Sequence, residues 1–242
     1  MHPIILIPSR LQSTRLPEKP LADIVGKPMI QHMIERALAA NAGRVVVATD
    51  SKRIASIVSS AGGEAVMTDA DCPSGSDRIW QALLLIDSEA KHDVVINLQG
   101  DMPTFKSEIL TQVLGPLKDE SIDIATLVAP IHNEDEKYNP AVVKALLSAK
   151  AGIHGYQAIT FTRESKPSDD GNFYHHVGIY AYRREALQRF VSMPPSENEQ
   201  REKLEQLRAL DAGMKIGVCI IDEAPIGVDT PETLEMARAM LI

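Results

Sequence analysis

Three cations, Arg10, Arg15 and Lys19, fall within ten residues of one another in the stretch Pro8-Ser9-Arg10-Leu11-Gln12-Ser13-Thr14-Arg15-Leu16-Pro17-Glu18-Lys19-Pro20. Guanidinium forks and an ammonium can neutralise a triphosphate while the N–H groups of a loop opening at Pro8 and Ser9 bind its oxygens. Pro17 and Pro20 reduce the entropy lost when such a loop orders. A merely solvated basic loop is the bland alternative. Position favours function, because the loop follows the apolar run Ile4-Ile5-Leu6-Ile7, and open α/β sheets bind ligands beyond the carboxyl ends of their strands. Asp101 follows a second such run, Val94-Val95-Ile96-Asn97-Leu98-Gln99-Gly100, so a carboxylate stands at another strand end. Asp229 precedes a helical pattern, where an isolated aspartate ordinarily serves as a cap or a dipole partner. Two aspartates brought together by a fold would also meet the needs of Mg²⁺, which uses one or two carboxylates plus substrate phosphates and water. The loop is neither GxGxxG nor GxxxxGK[ST], which removes the main support for a dinucleotide oxidoreductase or a P-loop kinase.

These side chains need a frame, and the first half of the chain supplies a regular one. Short apolar runs at 4–8, 44–50, 64–68 and 94–98 predict strands, alternating with helical patterns at 28–40, 51–61, 76–87 and 107–117. Continuous rather than alternating apolar runs mark strands covered on both faces, so a three-layer α/β fold with a mostly parallel central sheet is expected. Ser74, Gly75 and Ser76 form a small-residue turn heading the third helix, where Ser74 or Ser76 can cap. From residue 123 the pattern loosens into strands at 123–129, 142–147, 157–161 and 177–182 and helices at 184–191 and 202–210. It closes with a strand at 215–221 and a helix at 230–239. The aperiodic segment 164–172 reads as a surface loop. One domain over 1–242 with an appendage at about 130–210 is the simplest division.

Composition narrows the function classes. The chain has 242 residues, and 25 Lys+Arg against 33 Asp+Glu leave a formal net charge of −8, which argues against a nucleic-acid partner. No apolar run approaches the roughly 20 residues of a membrane span. No secretory signal is visible, and Cys72 and Cys219 form no CxxC pair, so two reduced thiols and a cytoplasmic location are expected.

The string R-x-x-S-T-R-L-P-x-K-P-L from Arg10 to Leu21, followed by Gly26-Lys27-Pro28-Met29-Ile30, resembles the signature of the sugar-nucleotide cytidylyltransferases. The closest likeness is to the branch that activates 3-deoxy-D-manno-octulosonate (Kdo). Further pieces follow in the family's order: Val47-Ala48-Thr49-Asp50, Ser74-Gly75-Ser76-Asp77-Arg78, Asn97-Leu98-Gln99-Gly100-Asp101, His176-Val177-Gly178-Ile179-Tyr180, Leu204-Glu205-Gln206-Leu207-Arg208 and Gly227-Val228-Asp229-Thr230-Pro231-Glu232. Two departures stand out: Met102 replaces an acidic residue found after the glycine-aspartate pair in many members, and the connection from Arg163 to His176 is shorter than usual.

The resemblance implies a Rossmann-like nucleotide-diphospho-sugar transferase fold, with a β-containing appendage for sugar binding and dimerisation. It implies transfer of CMP from CTP to Kdo with release of pyrophosphate, for lipopolysaccharide synthesis, by a Mg²⁺-dependent homodimer. Arg10, Arg15, Lys19 and Asp101 then form the catalytic set, with Asp101 and Asp229 as metal ligands. Pro8, Ser9, Arg10, Lys19, Ser74, Gly75, Ser76 and Gln99 hold the nucleotide, and Arg78, Arg163, His176, Glu205 and Gln206 the sugar acid. Taken without the resemblance, His176 reads as a core or edge histidine and Glu205, Gln206 and Arg208 as a polar helix face. Another acid sugar (a sialic acid or 8-amino-Kdo) and a non-catalytic nucleotide-binding regulator are the alternatives.

Overall fold

In this computed structural model, which describes residues 1–13, 15–148 and 155–242, the chain divides into two units: Met1–Thr111 with Pro225–Ile242, and Gln112–Ala224. Thr14 of the cationic loop lies outside the described residues. The first unit runs through β1 (Pro3–Ser9), a 3₁₀ turn (Lys19–Leu21), β2 (Asp23–Ile24), β3 (Lys27–Pro28), α1 (Met29–Ala39), β4 (Arg44–Thr49) and α2 (Lys52–Ser60). It continues with β5 (Glu64–Met67), α3 (Gly75–Ile86), β6 (Val94–Leu98) and the short α4 (Ile109–Gln112), and takes back the last helix of the chain, Pro231–Leu241.

Its four long strands pair in the order β5-β4-β1-β6, all parallel, with Ile5 opposite Val45 on one side and Ile96 on the other. β6 is buried at every position and β4 at all but its first, as continuous apolar runs require when both faces are covered. Helix starts follow local chemistry. Ser51 caps α2 by accepting from Ile54 N–H, Ser74 caps α3 by accepting from Asp77 N–H, and Pro28 precedes α1 where its missing N–H costs nothing. The helix expected over 107–117 is a correction: only Ile109–Gln112 is α-helical, and a 3₁₀ turn follows over Gly115–Lys118. Gly115 is a poor helix former and Pro116 lacks the N–H that would continue the ladder.

The second unit carries β7 (Ile124–Pro130), α5 (Glu134–Tyr138), β8 (Lys144–Leu147), β9 (Tyr156–Thr162) and β10 (Tyr174–Arg183). It then adds α6 (Arg184–Ser192), α7 (Glu197–Glu202), α8 (Leu207–Asp211) and β11 (Ile216–Ile220), which makes Pro231–Leu241 α9. The strands run β10-β7-β11-β9-β8, and β8 returns to β10 with Lys144 opposite His175, so the set closes on itself. Only β7 and β11 pair in parallel; the other ladders are antiparallel. The expected mostly parallel sheet is that of the first unit, and the expected β-containing appendage falls within the second. β8 pairs antiparallel with both β9 and β10, a geometry that needs no crossover helix. The second unit spans Gln112–Ala224 and includes β7 and β11, against the 130–210 expected for the appendage.

The helix expected at 202–210 is two helices, α7 and α8, separated by Lys203 at φ 55° and the buried Leu204. The missed signal is the capping box Ser196-x-x-Glu199, which starts α7 earlier than apolar spacing suggests. The 164–172 segment is irregular as expected but anchored: Ser168 Oγ accepts from Leu147 N–H at 3.0 Å, and the Tyr174 hydroxyl donates to Asp170 Oδ2 at 2.8 Å.

Gly43, at φ 151°, is the tightest backbone approach in the first unit: a Cβ there would lie 2.3 Å from the Pro3 carbonyl oxygen. Gly43→Ala should therefore cost about 2–4 kcal/mol of stability, read from the midpoint of chemical denaturation, since backbone must move to relieve the clash.

Candidate active site

Beyond the carboxyl ends of β1 and β6, the first unit opens a cleft of about 290 Å³. It is walled by the loop from Pro8 to Pro20, the turn Cys72-Pro73-Ser74-Gly75 at the head of α3, Gln99-Gly100-Asp101 and Asp229. Two local features bring these distant segments together. Val228 N–H donates to the Asp101 carbonyl at 2.7 Å, which ties the segment before α9 to the end of β6. An apolar cluster of Ile24, Met29, Val228, Leu234 and Ala237, with Leu16, Ala22 and Leu241 against it, fastens the cationic loop and α1 to α9. Asp229 is not the cap of α9; Thr230 takes that role in a capping box with Thr233, which leaves the Asp229 carboxylate to the cleft.

Lys19 Nζ lies 3.0 Å from Asp101 Oδ2 and 2.9 Å from Asp229 Oδ1, and Arg15 Nη2 lies 3.0 Å from Asp229 Oδ2. Burial pulls the Lys19 pKa down, but the charge of Asp101 and the hydrogen bond to Asp229 outweigh it and hold the ammonium above its ordinary range. Arg10 is exposed on the cleft's rim. The predicted catalytic set is thus assembled in one place, and the metal pair converges on a single ammonium. That donor set, two carboxylates open to a cleft, fits a Mg²⁺ ion that shares its remaining positions with phosphate oxygens and water.

At the other end of the cleft, Gly75 sits where a Cβ would touch Pro8 and come 3.7 Å from Gln99 Oε1. Gln99 Nε2 donates to Asn97 Oδ1 at 3.4 Å, turning its carbonyl oxygen away from Asn97. Among the described residues, Ser9 Oγ and Asn97 Nδ2 are buried with no hydrogen-bond partner, and Ser9 lines the cleft, so a ligand oxygen there would satisfy it. Ser76, expected with the nucleotide, is buried in the first turn of α3. Arg78, expected with the sugar acid, lines this same strand-end cleft, held by Thr68 Oγ1 at 2.6 Å and Asp50 Oδ2 at 3.4 Å. Asp50, which also accepts from Leu11 N–H at 3.3 Å, was not anticipated, nor were Gln12, Ser13, Cys72, Pro73 and Gly100 as cleft residues. A carboxylate ending the strand Val47-Ala48-Thr49-Asp50 was the available signal for Asp50.

The remaining candidates belong to the second unit. His176 packs edge-on to Phe161 at 4.7 Å and near Tyr180 at 5.5 Å, and its Nε2 is 3.1 Å from Thr126 Oγ1. Complete burial pushes its pKa down to about 3, so it is a neutral member of an aromatic core rather than a cationic surface ligand. Burial, with Tyr182 and Glu205 nearby, raises Tyr180 well above the usual phenol range. Glu205 stands 3.9 Å from the Arg208 guanidinium, which also binds Glu199 at 2.6 Å and lies 4.9 Å over Phe190. Gln206 is buried just before α8, and Arg163 is fixed by the carbonyls of Pro140 at 2.9 Å and Glu202 at 3.2 Å. His176 and Glu205 therefore share the neighbourhood of Tyr180, whereas Arg163 is committed to backbone. Met102, which stands where many members carry an acidic residue, is buried with the core.

A parallel sheet that presents a cationic loop and converging carboxylates at its strand ends defines a nucleotidyltransferase. The sequence profile of the Cytidylyltransferase family matches residues 4–216. A 3-deoxy-manno-octulosonate cytidylyltransferase of Rhodopseudomonas palustris is 57% identical over 98% of this chain and 97% of its own, and one of Methylobacterium radiotolerans is 56% identical over 99% and 96%. A solved CMP:2-keto-3-deoxy-manno-octonic acid synthetase complexed with CTP superposes with a TM-score of 0.89 at 40% identity, covering 100% of this chain and 98% of that one. The chain belongs to the cytidylyltransferase family, on its 3-deoxy-manno-octulosonate branch.

The buried His176 sets a pH dependence. Its unfolded form takes a proton near 6.5 and its folded form only near 3, so the unfolded state binds more protons between these values and stability falls as pH drops through that window. His176→Gln should flatten this slope in denaturation curves taken from pH 7 to 4; equal slopes would assign the effect elsewhere.

Proposed function

We infer that this chain transfers CMP from CTP to the anomeric hydroxyl of Kdo, releasing pyrophosphate and giving CMP-Kdo, an activated sugar for lipopolysaccharide assembly. The observation that carries the reading is the convergence of Lys19 and Arg15 on Asp101 and Asp229 in the strand-end cleft. In this reading Arg10, Arg15 and Lys19 bind the triphosphate and neutralise the charge that builds on the departing pyrophosphate. Asp101 and Asp229 would hold Mg²⁺, which when bound would supply Lewis-acid polarisation of the phosphate and the attacking hydroxyl. Ser9, Ser74, Gly75 and Gln99 form the nucleoside end, where a site built from fixed donors and acceptors rejects bases whose polar groups it would leave unpaired. The sugar oxygen bonds to the α-phosphorus, the bond to the β-phosphate oxygen breaks, and pyrophosphate leaves with that electron pair.

In this scheme Asp101 and Asp229 are taken up by the metal and no side chain is assigned as general base; the hydroxyl proton passes to solvent, and the side chains position the reactants. The reading includes a cytoplasmic homodimer that keeps both cysteines reduced; Cys72 and Cys219 are free thiols. Among the described residues no helix is long and apolar enough to cross a membrane.

Pyrophosphate release with Mg²⁺ should require CTP and Kdo together, exceed release with 8-amino-Kdo or N-acetylneuraminate, and be absent with UTP or ATP. Release with another acid sugar alone would redirect the assignment. Asp101→Asn should lower turnover by about 100-fold or more with an unchanged melting temperature, as expected when a metal ligand in the transition state is lost. Lys19→Ala should raise KM for CTP far more than it changes stability; a large stability loss with normal kinetics would make Lys19 structural.

A further inference from the structure

The contact at the centre of the cleft joins groups that the proposed chemistry needs apart. Asp101 and Asp229 share the Lys19 ammonium at 3.0 and 2.9 Å, and Asp229 also holds Arg15 at 3.0 Å. Two carboxylates and two cations make a formally neutral cluster. A Mg²⁺ ion bound to both carboxylates needs the same gap, at oxygen distances of roughly 2.0–2.1 Å, and a second cation cannot share it without strong repulsion.

We propose that Lys19, supported by Arg15, is a place-holding cation that keeps the divalent site closed until a triphosphate draws both side chains away. This rests on the nucleotide-transfer reading above. The exchange is balanced only when both ligands arrive: the cations move to phosphate oxygens and the carboxylates to the metal. A divalent ion alone must displace a bonded ammonium. A polyphosphate alone strips the cations and leaves two carboxylates unpaired and facing its own charge. Metal and nucleotide therefore bind with positive coupling, each strengthening the other by the same factor.

The anatomy of Lys19 suits a side-chain exchange. Its backbone is fixed in the 3₁₀ turn, with Lys19 N–H donating to the Leu16 carbonyl and Ala22 N–H to the Lys19 carbonyl, both at 3.1 Å. The four-carbon stem beyond that anchor can swing the ammonium between partners without moving the loop. Arg15 is two-thirds exposed and has no comparable anchor at its tip, so it contributes the smaller share.

The test is Mn²⁺ binding to the full chain, followed by electron paramagnetic resonance, for wild type, Lys19→Met and Arg15→Gln, each with and without CTP. Without nucleotide, Lys19→Met should bind Mn²⁺ about tenfold more tightly than wild type, the scale expected when one unit charge beside a partly screened site is removed. Arg15→Gln should gain a smaller factor, and CTP should strengthen Mn²⁺ binding less in Lys19→Met than in wild type. Thermal melts identify a variant that fails to fold, and Arg15→Gln, altered at an exposed tip, keeps the test decisive in that case. A wild type that turns over CTP and Kdo, with no gain in nucleotide-free Mn²⁺ affinity in either variant, overturns the place-holder alone. A wild type inert to CTP with every acid sugar overturns the transfer reading on which it rests.

Discussion

The bridge from Lys19 to Asp101 and Asp229 is the contact that the frame of the first unit serves to assemble. It joins side chains 82 and 210 residues apart in the chain, so no local preference could form it. Three independent devices hold its parts: the parallel register of β1 with β6, the hydrogen bond from Val228 to the Asp101 carbonyl, and the apolar cluster that clamps the loop against α9. Apolar burial contributes the driving force and the hydrogen bonds contribute direction. Charges this close in a half-buried cleft then acquire strength that they would lack in open water.

The second unit obeys a different economy. Beside its closed set of largely antiparallel strands it carries a run of rings, from Phe161 through His176, Tyr180 and Tyr182 to Phe190 of α6, each within 5.8 Å of the next. Burying an imidazole here is tolerable because it stays neutral and keeps the Thr126 hydroxyl beside Nε2. The Arg208 guanidinium closes the run over Phe190 while bonding Glu199, so a charged residue completes an aromatic core. Lys144 is also buried, with its ammonium on the Asn139 and Arg163 carbonyls. Desolvation and the nearby Arg163 hold its pKa below the usual lysine range. The interior of this unit is thus polar in places where an apolar residue would pack more cheaply.

The sequence by itself determined the alternation of apolar runs and amphipathic helices in the first half, and hence the parallel α/β frame and the strand ends at Ser9 and Leu98, three residues before Asp101. Local signals sufficed there because a doubly covered strand must be continuously apolar and a helix start must satisfy its own N–H groups. The loop string from Arg10 to Leu21 likewise carried its chemistry in its residue types. Tertiary structure alone decided which cations meet which carboxylates, that Arg78 turns toward Asp50, and which rings surround the core histidine His176. Those outcomes depend on strand register, on which way a helix faces, and on contacts made across more than a hundred residues, none of which a local sequence pattern can encode.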